Sequence, residues 1–324
     1  MTAPVLSVRG LRTDFATRAG RLTAVDGVSF DVGPGEVLGL VGESGSGKTI
    51  TGFSILGLID PPGEIVAGEV VLNGQNLRGL PEDAMRRLRG DRIAMIFQDP
   101  MMTLNPVLRI DTQLIETIRA HRDVGREAAR QMAEAALAQV GIPSPAERLR
   151  AYPHELSGGM RQRVVIAAAL MLEPDLIIAD EPTTALDVTI QSQILYEMQR
   201  LMAERNTALI WITHDLTVVA GLAHRVAVMY AGRIVEMGAV DDLLDRPAHP
   251  YTHGLIHSIP SATPRGERLQ PVRGMTPSLL NLPEGCAFAP RCPRADAACK
   301  TRPEERRIGD GRLVRCHHPL ESGA

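Results

Sequence analysis

The strongest structural pattern in this 324-residue sequence is the octapeptide Gly42-Glu43-Ser44-Gly45-Ser46-Gly47-Lys48-Thr49. It matches the P-loop pattern G-x-x-x-x-G-K-[ST] in full. The apolar run Val37–Val41 precedes it and predicts a buried strand, and residues Ile50 to Leu58 predict a helix. A strand, a glycine loop and a helix N-terminus in this order direct backbone N–H groups at phosphates. The octapeptide therefore predicts a phosphate-binding site.

Single residues of the octapeptide have specific expected roles. Lys48 would reach the β- and γ-phosphates of a nucleotide, and the Thr49 hydroxyl would hold Mg²⁺. Gly45 and Gly47 would let the backbone approach the phosphates closely. The predicted nucleotide-binding residues are thus the continuous run from Gly42 to Ile50. A glycine-rich loop that binds nothing is the alternative, and the complete pattern in its strand-to-helix context disfavours it.

The composition limits the class of protein. An apolar fraction of 44% supports a well-filled core in one large domain or two ordinary ones. A net charge of −3 and an aromatic content of 3% argue against a nucleic-acid-binding surface. The first residues lack the pattern of a signal peptide, and no apolar run approaches the roughly 18 residues of a membrane span. We therefore expect a cytosolic chain with reduced cysteines.

Another apolar strand is predicted at Asp175–Glu181, and it ends in the two carboxylates Asp180 and Glu181. In a doubly wound sheet such a strand end lies beside the glycine loop. Asp180 would then hold Mg²⁺ through water, and Glu181 would polarise the water that attacks the phosphate. The alternative is a solvated acidic pair without a role.

Two more polar residues follow predicted strands. Gln98 follows Ile93–Phe97 and could either face a γ-phosphate or cap a turn. His214 follows Ala208–Thr213 and could be catalytic or a surface residue that makes hydrogen bonds. Their positions alone leave both alternatives open.

The order of these motifs resembles that of the ABC ATPases. Leu156-Ser157-Gly158-Gly159-Met160 resembles the signature motif of that family, and Thr184-Ala185-Leu186-Asp187 resembles its D-loop. The resemblance covers about residues 5–240. It implies an α/β fold: a P-loop NTPase (RecA-like) core with an ABC β-subdomain and a helical subdomain at about residues 99–160. The implied nucleotide-binding domain is residues 1–245.

The resemblance also implies roles for single residues. Gln98 corresponds to the Q-loop residue, which contacts Mg²⁺ and the reacting phosphate, Asp187 to the D-loop residue and His214 to the switch histidine. With Glu181, residues Gln98 and His214 form the implied catalytic set. Phe15 resembles the aromatic residue that stacks on adenine, for which a core position is the alternative.

In the ABC ATPases two such domains face each other head to tail, and this arrangement implies a partner chain. ATP on one P-loop is covered by Ser157-Gly158-Gly159 of the other domain, where a helix N-terminus offers N–H groups to the γ-phosphate. Because the sequence holds one set of motifs, it would pair with a homologous second ATPase. The stretch from Asp99 to Pro106 and onward resembles the subdomain that contacts membrane-spanning partners.

Residues 246–324 differ in composition from the rest of the chain. Prolines are frequent enough there to disfavour long helices and central strands. All four cysteines lie in this segment, with spacings of C-x₅-C-x₆-C-x₁₆-C: Cys286, Cys292, Cys299 and Cys316. Without a C-x-x-C pair the spacing is a weak match to a zinc ribbon. Four thiolates suit Zn²⁺ or a [4Fe–4S] cluster, His317 or His318 could replace Cys316, and four free thiols are the remaining alternative.

This segment narrows the resemblance to the oligopeptide/dipeptide ABC importer ATPases, and to the dipeptide-permease ATPases in particular. Residues 246–252 resemble the entry to their C-terminal extension, and the stretches Cys286–Pro293 and Cys316–Pro319 resemble its cysteine motifs. The four-cysteine tails of this family hold a [4Fe–4S] cluster, which the resemblance therefore implies at these positions. Because the tail has little core of its own, we expect a structural role for the cluster rather than electron transfer. The second domain would be residues 246–324.

The implied function is ATP hydrolysis that powers import of di- and oligopeptides. The chain would lie on the cytoplasmic face of the bacterial inner membrane, with a second ATPase, two membrane-spanning permease subunits and an external peptide-binding protein. An importer ATPase for another cargo, such as nickel or glutathione, is one alternative. A soluble ABC ATPase that acts on DNA or ribosomes is disfavoured, because the sequence has a single cassette and no sustained heptads.

Overall fold

The computed structural model describes residues 3–184, 186–259, 272–309 and 311–320. Ala185 of the predicted D-loop and part of the proline-rich tail, including Pro260, Pro264 and Pro271, lie outside the described residues. The chain forms two compact units. The signature unit comprises residues 1–5, 32–36 and Gly79–Ile210, and the P-loop unit comprises Leu6–Asp31, Val37–Arg78 and Trp211–Ala324.

Strands and helices alternate along much of the chain. Within the described ranges the strands are β1 (Leu6–Thr17), β2 (Gly20–Val32), β3 (Val37–Val41), β4 (Gly63–Leu72), β5 (Gln75–Asn76), β6 (Ile93–Ile96), β7 (Leu176–Asp180), β8 (Ala208–Thr213), β9 (Arg225–Tyr230), β10 (Arg233–Ala239), β11 (Arg306–Ile308) and β12 (Arg312–Val314). The helices are α1 (Lys48–Leu56), α2 (Glu82–Leu88), α3 (Pro100–Thr103), α4 (Ile110–His121), α5 (Arg126–Gln139), α6 (Pro145–Arg148), α7 (Gly158–Leu170), α8 (Val188–Arg205), α9 (Leu216–Leu222), α10 (Val240–Asp245) and α11 (Pro250–His257). Short 3₁₀ helices lie at Pro153–Glu155, Ala289–Arg291 and Ala297–Lys300.

In the P-loop unit, β3 is the strand that leads into the octapeptide. All its residues are buried, which explains why its sequence is a continuous apolar run and does not alternate. It pairs in parallel with β9, and β9 forms with β10 the hairpin that the sequence predicts about Ala231-Gly232. Strand β12 pairs with β10, and β11 with β12, so the C-terminal segment extends this sheet.

The P-loop unit also contains a sheet with the strand order β2-β1-β4-β5. Its first two strands are longer than the sequence predicts at Val5–Val8 and Asp26–Val32. The apolar alternation of β1 is interrupted at Gly10, where the pairing with β4 shifts register. The N–H of Gly10 donates to the Ser29 hydroxyl (2.8 Å), and the strand resumes beyond the irregularity. A bulge of this kind hides the continuation of a strand from a period-two pattern.

The signature unit contains the parallel pair β6 and β7 and a group of packed helices. Helix α5 packs between α4 and α7 and buries small side chains, among them Ala129 and Ala133. Helix α7 is buried along most of its length, as its apolar sequence predicts. The sequence predicts that this helix starts at Arg161. It begins at Gly158 instead, because the Ser157 hydroxyl accepts a hydrogen bond from the N–H of Met160 and caps it.

The C-terminal segment contains short elements, as its proline content predicts. Helix α11 and the three-residue strands β11 and β12 lie in the same unit as β3 and α1. Residues on both sides of position 245 belong to this unit, and the division of the chain at that position stays a prediction.

A buried acid and a buried histidine join β10 to the start of α11. Glu236 is fully buried and accepts hydrogen bonds from the backbone N–H groups of Ala248 (2.7 Å) and His249 (2.9 Å). His249 Nδ1 accepts from the N–H of Tyr251 (3.0 Å), which caps the helix. Burial raises the pKa of Glu236 and lowers the pKa of His249 to about 3.

We expect the free energy of unfolding of His249→Asn to fall less on acidification than that of the wild type. The pKa of this histidine is about 3 in the folded chain and about 6.5 in the unfolded chain, so the unfolded chain binds more protons between these values. Its contribution to the free energy of unfolding therefore falls as the pH falls from 6.5, by at most about 1.4 kcal/mol per pH unit. Asparagine keeps a cap acceptor and takes up no proton.

Urea unfolding at several pH values between 7.5 and 5 measures this dependence. The raised pKa of Glu236 acts in the opposite direction and is present in both proteins, so it cancels in the comparison. The matched control is His257→Asn, at an exposed histidine on the same helix. Equal slopes for wild type and His249→Asn would show that the buried imidazole does not take up the proton.

Candidate nucleotide site and cysteine site

Steric limits at two glycines fix the path of the octapeptide between β3 and α1. Gly47 has φ +102°, and a Cβ there would lie 2.4 Å from the carbonyl oxygen of Ala24. A Cβ at Gly42 would lie 2.3 Å from the carbonyl oxygen of Met229. Only glycine fits at either position, and the loop is therefore held against the N-terminus of α1, where the N–H groups of the first helical turn and the helix dipole favour an anion.

Lys48 is the cationic group of this loop. It is 5% exposed, and its Nζ donates to the carbonyl oxygens of Gly42 (2.8 Å) and Glu43 (3.1 Å). A buried ammonium is costly unless negative charge or acceptors surround it. A phosphate oxygen supplies both, so this buried cation fits a nucleotide. Thr49, the predicted Mg²⁺ ligand, is the next residue of α1 and is half-buried.

In the signature unit the parallel register of β6 and β7 brings two predicted residues together. Ile96 lies opposite Ala179, so Gln98 and Glu181 follow the strands at equivalent positions. The Gln98 side-chain amide donates to Glu181 Oε2 (3.3 Å). Asp180, at the end of β7, is 3% exposed.

The backbone of Glu181 adopts a conformation that is rare for residues other than glycine. Its φ is +44°, and its carboxylate also accepts a hydrogen bond from the Thr184 hydroxyl (3.0 Å). A left-handed residue with a side chain costs about 1–3 kcal/mol and persists where the surroundings demand it, often at functional sites. The backbone conformation and the two hydrogen bonds to Oε2 together fix the orientation of the Glu181 carboxylate, and a group that orients water must be fixed in this way.

The signature residues lie at a helix N-terminus, as predicted. Ser157 and Gly158 are exposed, and Gly159 packs with its Cα near Ile190, where a Cβ would lie 3.0 Å from the Ile190 side chain. Asp187 caps α8, because its Oδ1 accepts from the N–H of Ile190 (2.9 Å). The two helix starts that carry Ser157 and Asp187 thus lie side by side in the signature unit.

The remaining predicted nucleotide-site residues lie in the P-loop unit. His214 is exposed directly after β8. Phe15 is half-buried on β1 opposite Gly63, where a Cβ would lie 2.5 Å from its ring. The ring of Phe15 therefore packs over a glycine and keeps a partly exposed face.

The four cysteines are reduced and partly or fully buried. The N–H of Cys286 donates to the carbonyl oxygen of Cys299 (2.9 Å). Burial raises the pKa values of Cys286 and Cys292, and burial together with the charges of the other three cysteines raises the pKa of Cys316 to about 11. The thiols thus lie within electrostatic reach of one another. Thiolates that repel one another are stabilised when a metal centre binds them.

One predicted substitute ligand lies beside this group. The ligand atoms of Asp296, Cys299 and His318 lie within 4.8 Å of one another, and His318 Nε2 is 2.8 Å from Asp296 Oδ1. His317 Nε2 instead contacts the carbonyl oxygen of Thr301 (3.0 Å). His318 is therefore better placed than His317 as an alternative ligand.

Comparisons with known proteins identify the class of this cassette. Residues 25–184 match the ABC transporter family, and residues 235–299 match the "Oligopeptide/dipeptide transporter, C-terminal region" family. The chain is 46% identical to the oligopeptide transport ATP-binding protein OppD of Escherichia coli, over 98% of this chain and 94% of that protein. It is also 46% identical to the dipeptide transport ATP-binding protein DppD of Escherichia coli, over 98% and 97%.

The chain belongs to the oligopeptide/dipeptide family of ABC transporter ATP-binding proteins. Among solved structures, the ATP-binding cassette MJ0796, in a dimeric post-hydrolysis state bound to ADP and Pi, covers 72% of this chain and 98% of its own length, with a TM-score of 0.66 and 25% identity. The predicted fold class, the family and the ATPase activity that it implies are thereby confirmed. No helix in the described part of this ABC protein is both long and apolar enough to cross a membrane.

The sequence prediction missed the partners of one P-loop residue of this ABC ATPase. Glu43 pairs with Arg291, which lies 248 residues further along the chain. Arg291 stands inside the cysteine motif that the sequence singles out, immediately before Cys292. A basic residue in that motif was visible in the sequence, but nothing local indicates its partner.

Proposed function

We propose that this chain binds and hydrolyses ATP to drive import of di- and oligopeptides, as a peripheral subunit at the cytoplasmic face of the inner membrane. One observation carries the proposal: a complete P-loop with a buried Lys48 occurs in a chain whose C-terminal region matches the peptide-transporter family. Its proposed partners are a homologous second ATPase, two membrane-spanning permease subunits and an external peptide-binding protein.

The proposed chemistry is positioning and charge stabilisation, which phosphoryl transfer mainly requires. The N–H groups of the octapeptide and Lys48 Nζ would bind the phosphates. Thr49, Asp180 and Gln98 would hold Mg²⁺, which neutralises phosphate charge when bound. Glu181, which accepts hydrogen bonds from the Gln98 amide and the Thr184 hydroxyl, would also accept one from the attacking water.

Each complete site would combine residues of two ATPase chains. The exposed Ser157 and Gly158 at the start of α7 would donate N–H groups to the γ-phosphate on the partner's P-loop. His214 would contact the same phosphate, Asp187 would line the contact between the chains, and Phe15 would stack on adenine. The exposure of Ser157, Gly158, Asp187 and His214 supports these roles, because each must meet a ligand or another chain.

Peptide uptake tests the proposed function. Cells that lack this chain are given labelled dipeptide, tripeptide, pentapeptide, nickel or glutathione, and uptake is compared after the wild-type chain is restored. We expect restored uptake of peptides with unchanged uptake of nickel and glutathione. Uptake of nickel or glutathione alone would replace the peptide proposal with the corresponding alternative cargo.

We further propose that Cys286, Cys292, Cys299 and Cys316 hold a [4Fe–4S] cluster with a structural role. The partial or full burial of the thiols and the effect of their charges on one another's pKa values support it, as does the shortness of the elements around them. A small segment with little apolar core is stabilised by a metal centre that ties its loops together. One Zn²⁺, with His318 as a possible ligand, is the alternative.

We expect about four irons and about four acid-labile sulfides per chain after anaerobic purification. Cys292→Ser should lose most of both, while Ser278→Ala, a matched change at a serine of the same segment, should keep them. Iron, zinc and sulfide are measured on the same samples. One zinc without sulfide would instead establish a zinc site, and neither metal in either protein would leave four free thiols.

A further inference from the structure

Glu43 of the octapeptide is held by the C-terminal segment and by the P-loop lysine. Its carboxylate accepts two hydrogen bonds from the Arg291 guanidinium, at 2.6 and 2.9 Å, and one from the Thr276 hydroxyl at 2.9 Å. Its backbone N–H donates to the Tyr251 hydroxyl (2.9 Å). Its carbonyl oxygen accepts from Lys48 Nζ (3.1 Å). All these residues belong to the P-loop unit.

Arg291 is a rigidly held cation. Its side chain is 4% exposed, and its Nε donates to the carbonyl oxygen of Arg273 (2.7 Å). The guanidinium lies over the rings of Tyr230 and Phe288, at 5.8 and 5.9 Å from their centroids. A two-pronged pair with Glu43 is therefore fixed in orientation as well as in distance.

Three aromatic rings connect this arginine to the sheet and to α11. Tyr230 at the end of β9, Tyr251 on α11 and Phe288 have centroid separations of 4.6, 5.3 and 5.4 Å. Such a cluster is rigid, because each ring buries a large area and is closely packed against its neighbours, and it holds Arg291 in place. The cluster joins the C-terminal segment to the strand beside β3.

The segment that carries Arg291 is bounded by two cysteines. It forms the 3₁₀ helix Ala289–Arg291 between Cys286 and Cys292, and the N–H of Cys292 donates to the carbonyl oxygen of Ala289 (3.2 Å). Whatever holds the two cysteines in place therefore also holds the guanidinium.

We infer that Arg291 is a positioning residue for the P-loop, through which the C-terminal segment sets the affinity for nucleotide. The inference rests on the proposed nucleotide site. Arg291 fixes Glu43, whose carbonyl oxygen helps to place the Lys48 ammonium. It also neutralises a carboxylate on the loop that receives the phosphates. Without it, the negative charge of Glu43 would repel the incoming phosphates.

Removing the arginine should weaken nucleotide binding, and removing the carboxylate as well should restore it. We expect Arg291→Ala to raise the Kd for MgADP about tenfold. Arg291→Lys keeps the positive charge but cannot donate the two parallel hydrogen bonds of the guanidinium, and we expect it to raise the Kd about threefold. The double variant Arg291→Ala/Glu43→Gln should return to within about threefold of wild type, because no unpaired charge remains. Arg294→Ala, at an exposed arginine three residues on, should bind as the wild type does.

Calorimetric titration of the full-length chain with MgADP measures these constants, and thermal unfolding of each variant confirms that it is folded. A loss of folding would lower the unfolding temperature and the fraction of the chain that binds MgADP, whereas the unpaired charge of Glu43 would raise the Kd of the folded chain. The inference is overturned if Arg291→Ala binds within about twofold of wild type, or if the double variant binds more weakly than Arg291→Ala. A wild-type chain that binds no nucleotide would overturn the proposed function as well, which distinguishes the two failures.

Discussion

Glu181→Gln is expected to lower the kcat for ATP hydrolysis about 10²- to 10⁴-fold and to leave the Kd for MgATP within about threefold of wild type. The glutamine has nearly the same shape, but it cannot accept a proton from the attacking water. The Gln98 amide and the Thr184 hydroxyl donate to Glu181 Oε2, and a glutamine oxygen keeps both contacts. The substitution therefore lowers kcat and leaves the affinity for MgATP nearly unchanged.

Steady-state hydrolysis by the assembled transporter and nucleotide titration of the isolated chain measure the two quantities. Glu173→Gln is the matched control, because Glu173 also has a left-handed backbone (φ +58°) in the signature unit and its side chain is 75% exposed. Its kcat should equal that of the wild type. A Glu181→Gln transporter that hydrolyses ATP at the wild-type rate would remove Glu181 from the role of water-orienting base.

Lys48→Ala is expected to weaken MgATP binding about 100-fold or more, because the P-loop loses its buried ammonium. Charge-assisted hydrogen bonds contribute about 1.5–3 kcal/mol each, and Lys48 can offer more than one to the phosphates. The change also removes the donor to the carbonyl oxygens of Gly42 and Glu43, so the loop loses two internal hydrogen bonds. We therefore expect a loss of both affinity and turnover.

Fluorescent-nucleotide titration of the isolated chain measures this affinity. Lys300→Ala is the matched control, because Lys300 is the one other lysine of the sequence and is exposed. It should bind MgATP as the wild type does. If Lys48→Ala kept an affinity within about threefold of wild type, the ammonium would not contact the phosphates.

Some elements could be predicted from sequence because their cause is local. Strands β3 and β8 are continuous apolar runs and lie at the predicted residues. The contact of Gln98 with Glu181 was not predicted, because it depends on the tertiary pairing of β6 with β7. The full lengths of β1 and β2 could not be predicted, because the register shift near Gly10 breaks the alternation on which a strand prediction depends.

The pair of Glu43 and Arg291 shows the limit of local prediction at the site. Nothing in G-E-S-G-S-G-K-T indicates that its glutamate carries a buried partner, and nothing around Arg291 indicates a P-loop contact. The pair forms because β12 pairs with β10 and because three aromatic rings fix the C-terminal segment. Both causes are tertiary, and the helix and strand patterns do not contain them.

Reconstitution into proteoliposomes tests the central proposal, coupling of ATP hydrolysis by this chain to peptide import, most directly. The chain is assembled with the proposed second ATPase and permease subunits, and the proposed peptide-binding protein is added outside. The ATP hydrolysed and the labelled peptide accumulated are then measured in the same vesicles. We predict accumulation that requires ATP and the binding protein and that disappears with Glu181→Gln. Peptide accumulation that is unchanged by Glu181→Gln, or ATP hydrolysis with no peptide movement in any condition, would contradict this account.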